Sequence, residues 1–196
     1  MKTLIRLVGA AAALVAVLVT LLFRRRRRIY TRLLDVPPPR FRVRVDRGLR
    51  LTMRDGVWLA ADHYYPRAPG RYPTILIRTP YGRTELHGVF GVLLAFVGQR
   101  FAEQGYHVIV QDVRGRFDSG GEFTPYFLER ADGHDTLAWI STQAWFNGQV
   151  GTWGPSYLGI VQWAIADAPQ VKAMLPVVTS ARLHNIVFPD GAFDLG

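Results

Sequence analysis

The chain has 196 residues, is 49% hydrophobic and 12% aromatic, and contains no cysteine. That length allows one domain with a substantial core, and the absence of cysteine excludes disulfides, thiolate chemistry and cysteine metal sites. The net charge of +9 is unevenly placed: residues 1–50 hold 13 Lys+Arg against 2 Asp, and residues 51–196 hold 11 Lys+Arg against 13 Asp+Glu. The basic charge therefore belongs to the N-terminal segment, and nucleic-acid binding is not expected.

Lys2 and Arg6 precede an uncharged run from Leu7 to Phe23, which Arg24–Arg28 close. As a helix this run would measure about 25 Å, slightly less than the hydrocarbon thickness of a bilayer. Leu21-Leu22-Phe23-Arg24 lacks the small residues of a cleavage site, so an uncleaved single-pass membrane anchor over residues 7–23 is expected. The larger arginine cluster places its C-terminal side in the cytoplasm. The alternatives are a cleaved signal peptide on a secreted protein and a basic segment lying on anionic lipid. Residues 29–50 read as a linker in which Pro37-Pro38-Pro39 is a stiff, extended spacer.

The alternation of Phe41, Val43 and Val45 with Arg42 and Arg44 predicts a first short strand. Leu51-Thr52-Met53 and Val57–Tyr65 flank Arg54-Asp55-Gly56, a hairpin with a tight turn. Thr74–Arg78 is a short apolar strand of the kind buried on both faces. Leu93, Leu94, Val97 and Phe101 recur at helical spacing, with Gly105 closing the helix. Val108–Val110 is the next strand, followed by a Gly-rich loop through Gly121. That loop lacks the Gly-Lys-Ser/Thr of a phosphate cradle. Glu129–Gln143 reads as a helix with Leu137 and Ile140 facing inward and acids near its start. Val150–Trp153, Tyr157–Ala166 and Ala173–Val178 read as strand, helix and strand. From Thr74 onward strands alternate with helices, which predicts an α/β fold: a parallel sheet with helices on both faces, preceded by an antiparallel hairpin.

The stretch Gly151-Thr152-Trp153-Gly154-Pro155-Ser156-Tyr157-Leu158-Gly159 carries the chemistry. A strand, a sharp turn and a helix around one serine lift its hydroxyl above the sheet edge and aim the next amide at the same space. Acyl transfer needs that pairing of nucleophile and oxyanion donor. The flanking glycines point to backbone passing too closely for a Cβ, and Pro155 favours an extended Gly154. A plain Gly-Pro-Ser surface turn is the competing reading; the apolar helix behind the serine favours the nucleophile.

Five pieces in one order resemble the CocE/NonD family of α/β-hydrolases, which includes cocaine esterase and X-prolyl dipeptidyl-peptidases. They are Met53-Arg54-Asp55-Gly56-Val57 with Ala61-Asp62; Arg78-Thr79-Pro80-Tyr81; Gln111-Asp112-Val113-Arg114-Gly115 with Ser119-Gly120-Gly121-Glu122-Phe123; Trp139-Ile140 with Gln143-Ala144-Trp145; and Gly154-Pro155-Ser156-Tyr157-Leu158-Gly159. The resemblance covers residues 51–196 as a partial α/β-hydrolase catalytic domain, truncated after about six strands. It implies a serine hydrolase acting on a small-molecule ester or amide through an acyl-enzyme. Ser156 would be the nucleophile, and the Tyr157 backbone N–H and the Tyr81 hydroxyl the oxyanion donors. It implies no cofactor and no metal. Asp112 and Arg114 would sit beside the turn as an ion pair or loop brace. The family's triad Asp and His lie far beyond its serine. Here His184 follows the serine but precedes Asp190 and Asp194, the wrong order for this fold. The expectation is thus the N-terminal half of an enzyme, inactive alone. A membrane-anchored, non-catalytic interaction domain on the same half-fold is the second reading.

Overall fold

The structure is a computed structural model that describes residues 35–182. The sheet and its helices belong to a compact unit that begins at Phe41. Six strands form one sheet: β1 (Val43–Thr52), β2 (Trp58–Pro66), β3 (Tyr72–Thr79), β4 (His107–Asp112), β5 (Phe146–Pro155) and β6 (Val171–Val177). Among the described residues three α-helices accompany them, α1 (Val89–Glu103), α2 (Glu129–Ser141) and α3 (Tyr157–Trp163), with a short 3-10 helix at Glu85–His87. The strand order is β1-β2-β4-β3-β5-β6. β2 runs antiparallel to both β1 and β4, while β4, β3, β5 and β6 are mutually parallel. This is the α/β architecture expected, with the antiparallel hairpin leading.

The two apolar pieces around residues 43 and 51 form one strand, interrupted by a bulge between Asp46 and Leu49 where Gly48 takes φ +67. The sheet therefore reaches back into the stretch read as linker. At the hairpin, Gly56 takes φ +82, its N–H donates to the Met53 carbonyl, and Met53 N–H donates to the Val57 carbonyl at 2.7 Å. The apolar run 7–23, the arginine cluster, His184, Asp190 and Asp194 all lie outside the described residues. Among the described residues no helix is long and apolar enough to cross a membrane.

Alternate residues of β3 and β4 serve two cores, because successive strand side chains point to opposite faces. Leu76 and Ile109 meet Leu51, Leu59, Leu137, Ile140 and Ile165, so α2 buries the inward pair the periodicity indicates. Ile77, Val108 and Val110 meet Leu94, Ala95 and Ala102 of α1 on the other face. Leu94 lies in the seam as the periodicity indicates, and Val97 and Phe101 pack against it. Leu93 departs from expectation at 47% exposed, and the small residues Ala95, Gly98 and Ala102 complete the contact. A Cβ on Gly98 would lie 2.9 Å from the Tyr64 ring, so this helix approaches the sheet closely only because its inner face is small.

At the end of the sheet remote from the C-terminal ends of the parallel strands, His63 Nε2 and His107 Nδ1 share a hydrogen bond of 2.9 Å. Both rings pack against Trp145. Burial depresses their pKa values, to about 3 and about 4, so both are neutral at neutral pH. At the opposite end of β4, burial raises the Asp112 carboxyl to about 6. Between pH 6 and 4 the unfolded chain binds two protons at the histidines that the folded chain refuses. The folded chain binds one at Asp112 that the unfolded chain has released. For these three groups the net excess of about one proton on the unfolded side contributes a fall in stability of about 1.4 kcal/mol per pH unit of acidification, and the lowered carboxyls of Asp55, Glu85, Asp135 and Asp167 act in the same direction. Urea titrations across that range should show the decline, and His63→Phe with His107→Phe should make it shallower. A parent whose stability does not change from pH 6 to 4 would refute this assignment.

Candidate active site

β5 ends at Pro155 and α3 begins at Tyr157, so Ser156 alone turns the chain. Its backbone takes φ 55, ψ −125, a conformation that costs a residue with a Cβ on the order of 1–3 kcal/mol. Its surroundings hold it there. Ser156 N–H donates to the Val177 carbonyl of β6 at 2.9 Å, and its carbonyl accepts from Gly159 N–H at 2.8 Å and Ile160 N–H at 3.2 Å. A serine before a helix ordinarily bonds its hydroxyl back to the first turn from an extended backbone. Ser156 is not extended and makes no such bond, so its exposed hydroxyl is left available.

Gly154, at φ +148, sits where a Cβ would come within 2.4 Å of the Leu158 Cβ, and Gly159 where one would come within 2.4 Å of the Thr179 Cγ2. Close approach explains both glycines, as the sequence suggests, but the neighbours are side chains rather than backbone. The positive φ of Gly154 comes from the glycine itself, not from Pro155.

Tyr81 lies two residues past β3, the strand adjacent to β5. Its N–H donates to Thr79 Oγ1 at 3.0 Å, and its ring lies 5.2 Å from that of Phe90. Tyr81 and Ser156 line one cavity of about 240 Å³, walled by Phe90, Leu93, Trp153 and Leu158. The amide of Tyr157, at the first position of α3, has no acceptor within its own helix and is one bond from Ser156. The structure thus brings Ser156 and Tyr81 to one cavity, with Tyr157 next to Ser156 in the chain. No histidine lines this cavity among the described residues. His134 bonds to Asp167 on the surface, and His63 and His107 belong to the far end of the sheet.

The residues near Tyr81 form a brace. Arg83, buried in the loop that follows Tyr81, donates to Asp62 at 3.0 Å, Asp112 at 2.5 Å and Asp118 at 2.7 Å. Asp112 and Arg114 do not pair with each other, as the sequence reading allowed. Arg114 instead joins Asp132 of α2 at 2.6 Å to Asp55 of the hairpin turn at 2.8 Å. His87, Asp112 and Asp118 each offer an atom within 4.8 Å of the others, the spacing of a metal cluster. The Arg83 guanidinium already contacts both carboxylates there and supplies the positive charge.

Nothing in the sequence signals Phe90, and Leu93 reads there as a core residue and Trp153 as the end of a strand rather than as cavity walls. An apolar residue that lines a cavity looks the same in sequence as one that fills a core. Arg83 carries no pattern of its own. Only the fold brings its three acids to it.

The family model for X-Pro dipeptidyl-peptidase (S15 family) matches residues 55–195. The chain belongs to this S15 family. It is 40% identical over 152 residues to the cocaine esterase of Rhodococcus sp. (strain MB1 Bresler), a match covering 76% of this chain and 26% of the esterase. A CocE/NonD family hydrolase from Staphylococcus aureus superposes with a TM-score of 0.56 at 27% identity, over 66% of this chain and 26% of that one. An α-amino acid ester hydrolase superposes with a TM-score of 0.55 at 25% identity, over 70% and 26%. This S15 chain thus spans about a quarter of the length of these relatives.

Proposed function

We propose that this chain carries the nucleophile half of a serine hydrolase that cleaves ester or amide bonds, X-Pro peptide bonds among them, through an acyl-enzyme. The observation that carries the reading is Ser156: exposed, at a strained turn, its hydroxyl making no capping bond to the helix it precedes, in one cavity with Tyr81. In the first step Ser156 Oγ bonds to the substrate carbonyl carbon and its proton passes to a general base. The carbonyl oxygen becomes an oxyanion, which accepts from the Tyr157 N–H and the Tyr81 hydroxyl. Collapse breaks the bond to the alcohol or amine, which leaves with the proton, and water then hydrolyses the ester on Ser156. We assign the base and its orienting acid to groups outside residues 35–182. A fluorophosphonate probe tests the reading: it should label the intact protein on Ser156. Absence of labelling, or labelling retained in Ser156→Ala, would refute it.

Tyr81→Phe should lower kcat by roughly 10²–10³-fold, the scale for losing one oxyanion donor. KM should change little, because the hydroxyl acts on the charged intermediate. An unchanged kcat accompanied by a lower melting temperature would instead make Tyr81 a packing residue.

A further inference from the structure

A buried chain of polar groups runs beneath the turn that carries Ser156 and takes no part in the steps above. Tyr157 turns its ring inward against Val113 and Val161. Its hydroxyl donates to Glu129 Oε1 at 2.6 Å and accepts the Tyr126 N–H at 3.1 Å. Burial, reinforced by the Glu129 bond, pushes the phenol well above its ordinary pKa, so it remains a donor throughout the working range. Glu129, the first residue of α2, is itself buried. Its Oε2 lies 2.9 Å from Arg78 Nη2, and its carbonyl accepts from Arg78 Nη1 at 2.8 Å. Arg78 reaches it beside Gly133, where a Cβ would lie 3.1 Å from Nη1.

Tyr157 therefore has two ends with separate duties. Its amide follows Ser156 directly at the start of α3, and its hydroxyl is fastened to the start of α2. A peptide N–H has no torsion of its own; its direction follows the backbone on either side. The backbone before it is the strained Ser156, and strain persists only where the surroundings over-determine it. The Val177 bond secures one side of the turn. The ring of Tyr157 secures the other.

We propose that Glu129 is a positioning residue for the oxyanion hole, holding the Tyr157 ring through its hydroxyl so that the Tyr157 N–H points at the reacting carbonyl oxygen. The proposal rests on Ser156 being the nucleophile. Tyr126 belongs to the same device, because its ring stacks on Tyr157 at 5.1 Å and its amide shares the hydroxyl. The loop before α2 is thereby tied to the same atom that sets the amide.

The test uses Tyr157→Phe and Glu129→Gln in the intact protein, with active sites counted by fluorophosphonate labelling. For each variant, kcat per labelled site should fall on the order of tenfold, the scale of a slightly misplaced group, with KM unchanged. A boronic acid that forms the tetrahedral adduct should lose affinity by a similar factor. The double variant should be no worse than the poorer single, because both act through one contact. A merely structural role would reduce the labelled fraction and the melting temperature while leaving kcat per labelled site at the parent value. That result, or additive losses in the double variant, overturns the proposal while the nucleophile reading stands. A parent that does not label overturns both. Should Glu129→Gln fail to fold, Tyr157→Phe decides alone, since it removes one oxygen and leaves the Arg78–Glu129 pair in place.

Discussion

Ser156→Ala is expected to lower turnover of an activated ester by about 10⁴-fold or more in the intact protein while leaving the fold in place. The rate loss follows from chemistry: without Oγ no acyl-enzyme forms, and what survives is the help that oxyanion donors give to attack by water. Preservation of the fold follows from geometry. The hydroxyl makes no bond to the helix it precedes, so its removal leaves no buried partner unpaired. The ties that hold the turn are main-chain bonds to Val177, Gly159 and Ile160, and alanine keeps all three. Steady-state kinetics on an aryl ester, with circular dichroism as the control for folding, would check it. An alanine variant that matched the parent would remove Ser156 from the mechanism.

Arg78→Leu is expected to cost about 3–5 kcal/mol of stability, the scale for orphaning one member of a buried ion pair. The guanidinium is 1% exposed and the Glu129 side chain 7%. Arg78 Nε also donates to Gln111 Oε1 at 2.9 Å, so leucine strands the acid and leaves the amide oxygen with the Thr136 hydroxyl alone, at 3.1 Å. The cost lies in the stranded acid rather than in the pair's own worth. Adding Glu129→Leu should therefore restore a substantial part of the stability, although not activity. Urea denaturation of the parent, single and double variants measures both statements. A single-variant loss below about 1 kcal/mol would mean that water reaches the pair.

The hairpin, the parallel strands and the serine turn were legible because each is written in consecutive residues: Asp55-Gly56, Thr74–Arg78, Gly154 to Gly159. The packing face of α1 is only partly legible: Leu94, Val97 and Phe101 mark it, but the periodicity also includes the exposed Leu93 and passes over Ala95, Gly98 and Ala102, which a close helix–sheet contact selects. The polar framework was illegible for another reason. Arg78 and Glu129 are separated by 51 residues, and Arg114 and Asp55 by 59. A charge inside an apolar strand implies a partner, since burial alone is prohibitive, yet sequence does not say which acid. Arg78 within an otherwise apolar strand was that signal, and only the tertiary structure supplies the other half.

The Ser156 N–H is bonded to β6, not to β5 or α3, and β6 pairs on one side only among the described residues. The backbone of Ser156 is therefore set by a strand at the rim of the described sheet. During folding, β1 to β5 and both hydrophobic cores can assemble before β6, and the turn at Ser156 is expected to close only when β6 docks. The amide proton of Ser156 is the natural reporter of this order: in pulse-labelled hydrogen exchange it should gain protection together with β6, after the core strands.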